Sequence, residues 1–204
     1  MKTAILTIIG LLIVFILIPV SVAGCTYNSL VNKQQAVDSQ WAQVQNVYQR
    51  RSDLIPNLVQ TVQGSANFEK STLEAVTNAR ASVGKVTIDA NSAPSDAAKL
   101  QEYQNAQGEL SNALSRLLVV SERYPDLKSS ANFLSLQAQL EGTENRISVE
   151  RGRFNDAVQD YNASIKRFPA VIFAGMFGFT PKPYFEATTQ AQTAPSVNFN
   201  FSNP

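Results

Sequence analysis

Residues 49–59 read QRRSDLIPNLV and interrupt a long helical pattern. Apolar side chains recur every three or four residues on both sides of this stretch, which is the spacing of the buried face of an amphipathic helix. The positions on this face are Val37, Trp41, Val44, Tyr48, Ile55, Leu58 and Val62. Arg51 falls on the same face, where a charged side chain is unexpected. Pro56 lacks a backbone N–H, and inside a helix its ring would clash with the carbonyl of Ser52 at a cost of about 3 kcal/mol. The stretch therefore predicts either a kinked helix or a junction between two helices.

The junction is possible because Ser52 or Asp53 can cap a second helix whose first turn holds Pro56, and the kinked helix stays open beside it. The first helix then ends near Arg51, and the second runs from about Asp53 to Val83. The residues of this predicted junction motif are Arg50, Arg51, Asp53, Pro56 and Asn57.

Two further helices follow a connector over residues 84–95. The third is predicted from a cap at Ser95 or Asp96 to about Tyr124, since a residue that precedes proline avoids helical angles. The fourth is predicted from about Ser130 to Arg167, where the apolar spacing is the most regular in the chain.

Helices of this length joined by short connections predict an all-α fold, an antiparallel four-helix bundle of long helices. We expect an N-terminal membrane segment over residues 1–25, the bundle over residues 26–169 and an apolar segment over residues 170–187 that packs on the bundle or the membrane. The polar composition of residues 188–204 is typical of a disordered tail.

Several short blocks resemble the LemA family of bacterial envelope proteins and occur in the same order as in that family. They are YNSLV at 27–31, RRSDLIPNLV at 50–59, ERYPDL at 122–127, ENRI at 144–147, RFN at 153–155, YN at 161–162 and FP at 168–169. The resemblance implies an N-terminal membrane segment and a four-helix bundle that faces an aqueous compartment, and it carries no settled biochemical activity. The chain departs from the family's Gly-Tyr-x-x-His-Glu pattern, of which only Gly64 and Glu69 remain.

Composition limits the chemistry that this chain can perform. Its 204 residues include 17 Lys and Arg, 16 Asp and Glu, one Cys and no His. A net charge of +1 without a basic patch does not predict nucleic-acid binding. The absence of histidine removes Ser-His-Asp and Cys-His catalysis, His-containing zinc sites and the Glu-x-x-His iron motif of helical bundles. We therefore expect a protein that is not an enzyme and that needs no cofactor or metal.

The N-terminus carries the pattern of a membrane anchor. Residues 4–22 are almost wholly apolar and long enough to span a bilayer as a helix. Pro19 and the small residues of VAGC at 22–25 are also typical of a cleaved secretory signal, and VAGC resembles the lipobox of bacterial lipoproteins. Cys25 is therefore a candidate for lipidation, with an uncleaved spanning helix as the alternative. Lys2 precedes the apolar run, which places the bundle outside the cytoplasm.

Several charged residues fall in phase, or nearly in phase, with the apolar faces. They are Arg51, Glu69, Arg80, Glu144, Glu150 and Arg151. Buried charges are costly unless they are paired and hydrogen-bonded, so these residues either pair with one another and fix the register of the helices or line a polar pocket between helices. A pocket of this kind would suit an anionic ligand or the acidic tail of a partner.

Two functions follow from these patterns. The first is a membrane-anchored, non-enzymatic protein of the bacterial cell envelope that acts as a helical scaffold or recruits other envelope proteins. The alternative is a ligand-sensing or regulatory domain that uses the Arg/Glu cluster, and a hydrolase that works without histidine ranks below both. The sequence leaves the oligomeric state open.

Overall fold

The computed structural model describes residues 2–65, 68–89 and 92–186, with side chains from residue 10 onward. The predicted disordered tail, residues 188–204, lies outside the described residues. The described part of the chain is helical and contains no strand, which confirms the all-α class. Its helices are α1 (Lys2–Gln63), α2 (Lys70–Lys85), α3 (Ala97–Ser121), α4 (Pro125–Lys128), α5 (Ala131–Lys166) and α6 (Ala170–Phe173).

Of the two alternatives at Pro56, the continuous helix is confirmed and the junction at Asp53 and Pro56 is wrong, because α1 continues through both residues to Gln63. Asp53 caps no helix, and its carboxylate accepts a hydrogen bond from Gln49 one turn earlier (2.7 Å). The carbonyl of Ser52 would normally accept from the N–H that Pro56 lacks, and it accepts instead from Arg80 Nε at 3.2 Å. This bond from α2 offsets part of the cost of an internal proline.

The other two residues of the motif, Arg50 and Asn57, lie exposed on the same uninterrupted helix. The actual break lies between Gln63 and Lys70. There the N–H groups of Gly64 and Ser65 bond back to α1 at 3.2 and 3.0 Å. The second helix is therefore about half as long as predicted and begins at Lys70.

The third and fourth predicted helices are confirmed as α3 and α5. Asp96 caps α3, and its side chain accepts from the N–H of Ala98 at 2.8 Å. The predicted stop at Pro125 opens the short helix α4, and α5 begins after Ser130 at its N-cap position.

The helices pack side by side, with α1 antiparallel to α5. Lys33 pairs with Asp160 near one end of α1, and Arg51 pairs with Glu144 farther along. The core divides into one cluster around Trp41 and Phe154 and a second cluster with buried residues from α1, α2, α3, α4 and α5. These contacts fit the predicted antiparallel bundle.

The chain turns back after α5 and runs along the bundle. Phe179 and Phe185 are buried in the cluster around Trp41. Gly178 has φ of 78°, a backbone conformation that favours glycine. The segment that was predicted to pack on the bundle or the membrane thus has both buried and exposed apolar residues.

Candidate functional site

Arg51 connects three helices from inside the bundle. Its side chain is 1% exposed and lies on α1. Nη1 donates to Glu144 of α5 and to Ser111 Oγ of α3 (2.7 Å), and Nη2 donates to the side chain of Gln107 of α3. We call these residues the Arg51 network. A charge that is out of place in the sequence pattern is thus compensated by one carboxylate and two neutral acceptors.

Arg151 lies two turns after Glu144 on α5 and adds a second cation to the site. Its guanidinium lies over the ring of Phe185 at 4.6 Å, and Nη2 donates to the carbonyl of Glu186 at 3.1 Å. Tyr48 lies next to both arginines, with the guanidinium of Arg51 at 5.3 Å from its ring centre. Burial raises the pKa of the Tyr48 phenol, and the charges of Arg151 and Arg51 offset only part of that rise.

Tyr103 of α3 is the second buried phenol beside this network. Burial raises its pKa to about 12, and its hydroxyl donates to Gln45 at 3.1 Å. Both phenols therefore stay protonated at neutral pH and act as neutral hydrogen-bonding groups.

A cavity of about 170 Å³ lies between these side chains and is lined by both arginines, Tyr48, Gln104, Gln107 and Glu144. Arg51 Nε is buried and has no hydrogen-bond partner among the described residues. A space of this size with two cations and one carboxylate in its lining can hold water or a small anionic group.

The structure brings together only three of the six charges predicted to cluster: Arg51, Glu144 and Arg151. Glu69 lies at the start of α2 and pairs with Arg123 at 2.6 Å. Arg80 is exposed on α2 and bonds to Ser52.

Glu150 also lies apart from the network and pairs with Arg153 at 3.0 Å. It precedes Arg151 by one residue, which is a rotation of about 100° around the helix. Glu69 and Arg80 were expected to face the core because the helical spacing was extended from α1 into α2. The chain breaks between Gln63 and Lys70, so that spacing does not continue into α2.

Sequence reasoning missed a set of side-chain amides that hold the C-terminal strap, which we define as residues 180–186. Asn162 donates to the carbonyl of Lys182 (2.8 Å) and accepts from its N–H (2.9 Å). Asn155 makes the same pair of bonds with Phe185 at 3.0 and 2.9 Å. Gln104 pairs likewise with Glu186 at 2.5 and 3.3 Å. These amides bond to the backbone of the strap as a neighbouring strand would.

The sequence did carry a signal for this arrangement. Asn155 and Asn162 belong to the blocks RFN and YN and lie seven residues apart, which places them two turns apart on one face of α5. Side chains of the strap complete the contact, since Lys182 Nζ donates to the carbonyl of Ala93 at 2.7 Å and Phe185 stacks on Trp41 at 6.1 Å.

The N-terminal half of α1 is the part of the described chain that is long and apolar enough to cross a membrane. An 18-residue window there has a mean hydropathy of 2.2 and is not buried in the fold. Cys25 is exposed on the same helix. Its lipidation stays a prediction.

Comparisons with known proteins give one family. The profile of the LemA family matches residues 40–199. Magnetosome protein MamQ of Magnetospirillum gryphiswaldense is 24% identical over 186 residues, which cover 82% of this chain and 67% of MamQ. Magnetosome protein MamQ 2 of Paramagnetospirillum magneticum is also 24% identical, over 189 residues with the same shares of the two chains. Protein LemA of Metamycoplasma hominis is 23% identical over 141 residues, which cover 69% of this chain and 60% of that protein.

Proposed function

This chain belongs to the LemA family, and from that premise we propose that it is a non-enzymatic protein of the bacterial envelope whose membrane-anchored bundle acts as a scaffold or recruits other envelope proteins. Family membership and the apolar N-terminal helix fit a membrane-anchored envelope protein. The scaffold role and the position of the bundle outside the cytoplasm are the proposal.

The continuity of α1 carries this proposal. The same helix contains the apolar segment and, from Leu30 onward, side chains buried in the core, such as Val37 and Trp41. No break separates the apolar segment from the bundle in α1, so an uncleaved α1 would hold the bundle at a fixed angle to the segment that would lie in the membrane. A rigid platform of this kind suits recruitment of partners at a defined height above a membrane.

The chemistry of the Arg51 network supports a role without catalysis. Ser111 Oγ donates to the carbonyl of Gln107 at 3.2 Å and accepts from Arg51. Its proton is therefore held by a backbone carbonyl, whereas a nucleophilic serine needs a general base in that position. The chain contains no histidine that could serve as the base.

Site-specific photocrosslinking in living cells tests the recruiting role. A photoreactive residue at the exposed Val149 of α5 should capture the same partner in repeated membrane preparations. The same residue at the buried Val158 is the matched control and should capture none. Repeated failure at Val149, Leu134 and Val119, all exposed, would contradict recruitment by the bundle.

A second function, ligand sensing, is favoured by the cavity of about 170 Å³, whose lining includes the cations Arg51 and Arg151. If the cavity binds a regulatory anion, the double variant Arg51→Met/Glu144→Met should be stable and yet lose recruitment. A double variant that is both stable and active would contradict the sensing role and leave the outer faces of the bundle as the functional surface.

A further inference from the structure

The turn that includes α6 exposes several large apolar side chains. We call residues 168–177 the α6 patch. Its most exposed members are Phe168 (81%), Met176 (79%), Ile172 (56%) and Val171 (53%). Large exposed apolar patches are rare on soluble proteins and mark surfaces that contact something else.

The α6 patch lies beside the N-terminal part of α1. The ring of Tyr27 on α1 packs against Phe177 at 5.2 Å and Phe179 at 5.7 Å. Tyr27 follows Val22, the end of the apolar run, by five residues, which is about 8 Å along a helix. The patch is thus attached to the first turns of α1 beyond the segment that would lie in the bilayer.

The charges around the α6 patch also fit a lipid surface. Lys166 and Arg167 are exposed at the end of α5, directly before the patch. The sequence has no acidic residue from 168 to 185. Basic residues beside exposed apolar side chains are the combination that binds the interface of a membrane with anionic lipids.

We propose that the α6 patch is a second membrane contact, which inserts into the boundary between headgroups and acyl chains of the bilayer that holds α1. This inference rests on the proposed membrane anchoring. It holds for both forms of the anchor, because a lipid on Cys25 would leave Tyr27 as near to the surface as a spanning helix does. Two contacts, α1 and the patch, fix the rotation of the bundle about α1 as well as its tilt.

Quenching of tryptophan by brominated lipids tests the proposal on the full chain in vesicles of phosphatidylcholine and phosphatidylglycerol. The wild-type chain supplies the baseline, since its single tryptophan, Trp41, is buried in the core. Met176→Trp should lose roughly half or more of its added emission on brominated lipid, because an interfacial side chain lies about 5–10 Å into the bilayer boundary. Val119→Trp is the matched control: it is 71% exposed on α3 near the far end of the bundle and should keep its emission.

A third variant separates failure of this inference from failure of the anchor. Phe15→Trp lies in the apolar segment and should be quenched in any chain that is inserted in the vesicles. Quenching at Phe15→Trp without quenching at Met176→Trp would overturn the lipid contact, leave the anchor intact and assign the patch to a protein partner. Absence of quenching at both would overturn the anchor and the inference together. Ile172→Trp repeats the measurement at the patch if Met176→Trp loses helical circular dichroism.

Discussion

Arg51 places a full charge in the core, and the unequal burial of its partners determines how that charge is tolerated. Its guanidinium is 1% exposed, whereas the side chain of Glu144 is 42% exposed. Water can therefore solvate Glu144 when Arg51 is absent, but it cannot solvate Arg51 when Glu144 is absent. Loss of Glu144 and loss of Arg51 should therefore reduce the stability of the fold by different amounts.

We expect Glu144→Gln to destabilise the fold more than Arg51→Met does. Loss of the carboxylate leaves a buried cation with only neutral acceptors, at a cost of about 2–3 kcal/mol, less than the 3–5 kcal/mol for a fully buried pair. The double variant Arg51→Met/Glu144→Gln should be as stable as Arg51→Met alone. Urea unfolding measures each value, and Glu74→Gln, which breaks an exposed pair with Lys70, should change stability by less than about 0.5 kcal/mol. Equal costs for the two single variants would show that Glu144 is shielded from water.

The buried phenol of Tyr103 should make the fold sensitive to high pH. Its pKa is raised to about 12 in the folded state from 10.0. The folded protein thus keeps a proton that the unfolded chain loses. The contribution of this phenol to stability is therefore fully present below pH 10 and is lost as the pH rises toward 12.

Tyr103→Phe should reduce this fall by on the order of 1 kcal/mol between about pH 8 and about pH 11, because pH 11 lies about midway between the two pKa values of the phenol. The measurement is the difference in the urea midpoint between about pH 8 and about pH 11. Tyr184→Phe, at a side chain that is 43% exposed, is the control. If Tyr103→Phe and the wild type lose stability in parallel with pH, the phenol has a path to water in the folded state.

Sequence reasoning at the residue scale found the misfit of Arg51 and included its ion-pair partner Glu144 in the predicted cluster, but it missed the two neutral acceptors. Gln107 and Ser111 of α3 are neutral, and nothing in a one-dimensional pattern marks them as acceptors for a distant arginine. Their role depends on which helix faces α1, and this is decided by packing over the whole chain.

At the scale of helices, Pro56 illustrates why the boundary between the first two helices was misplaced. A proline usually ends a helix, but the apolar face continues without a phase shift through Ile55, Leu58 and Val62, all buried in the structure. Burial of those side chains, together with the bond from Arg80 to Ser52, outweighs the local preference. Gly64 directly follows the end of α1 and is a break signal that the sequence did show.

A double-mutant cycle should show whether the bond from Arg80 to the Ser52 carbonyl compensates for the N–H that Pro56 lacks. Pro56→Ala restores the N–H that bonds to the Ser52 carbonyl, and we expect it to stabilise the fold by about 1–2 kcal/mol. Arg80→Ala should cost about 1 kcal/mol in the wild type and clearly less in Pro56→Ala, where the carbonyl already has a partner. Urea unfolding of the four chains gives the coupling. Additive effects would mean that the bond from Arg80 does not compensate for the proline.

The strap depends on the paired amides of α5, and Asn162 should be the more sensitive of the two. Asn162 is 8% exposed, and Asn162→Leu removes both bonds to Lys182 while keeping the size of the side chain. We expect the strap to detach, which frees Tyr184 and Phe185 for cleavage by chymotrypsin and changes the emission of Trp41.

The control for this prediction is Asn145→Leu, at an exposed asparagine of the same helix. Protection from chymotrypsin that survives in Asn162→Leu would show that Phe185 and Lys182 hold the strap without the amide.

At the scale of the whole molecule, one continuous helix joins the two regions that the sequence analysis had separated. The sequence pattern predicts an anchor at residues 1–25 and a bundle after it, but α1 shows no break between them. The all-α class and the helices α3 and α5 could be predicted because their apolar spacing and their caps are local. The apolar segment at residues 170–187 could also be predicted, but not which of its residues are buried in the strap and which are exposed in the α6 patch, because that depends on the finished surface of α1 and α5.

Whether the anchor is a lipid or a spanning helix depends on Cys25. The cysteine is exposed on α1 and lies five residues before Leu30, which is 1% exposed. Cleavage before Cys25 would therefore remove none of the core side chains, and a lipid on Cys25 would hold the remaining helix at the membrane. We expect Cys25→Ala to abolish the incorporation of labelled fatty acid and to leave the apolar segment uncleaved, as read by intact mass and N-terminal sequencing. Ser29→Ala, at an exposed position one turn later, should change neither. A wild-type protein that still begins at Met1 in its membrane would contradict lipidation, and α1 would then be the spanning helix.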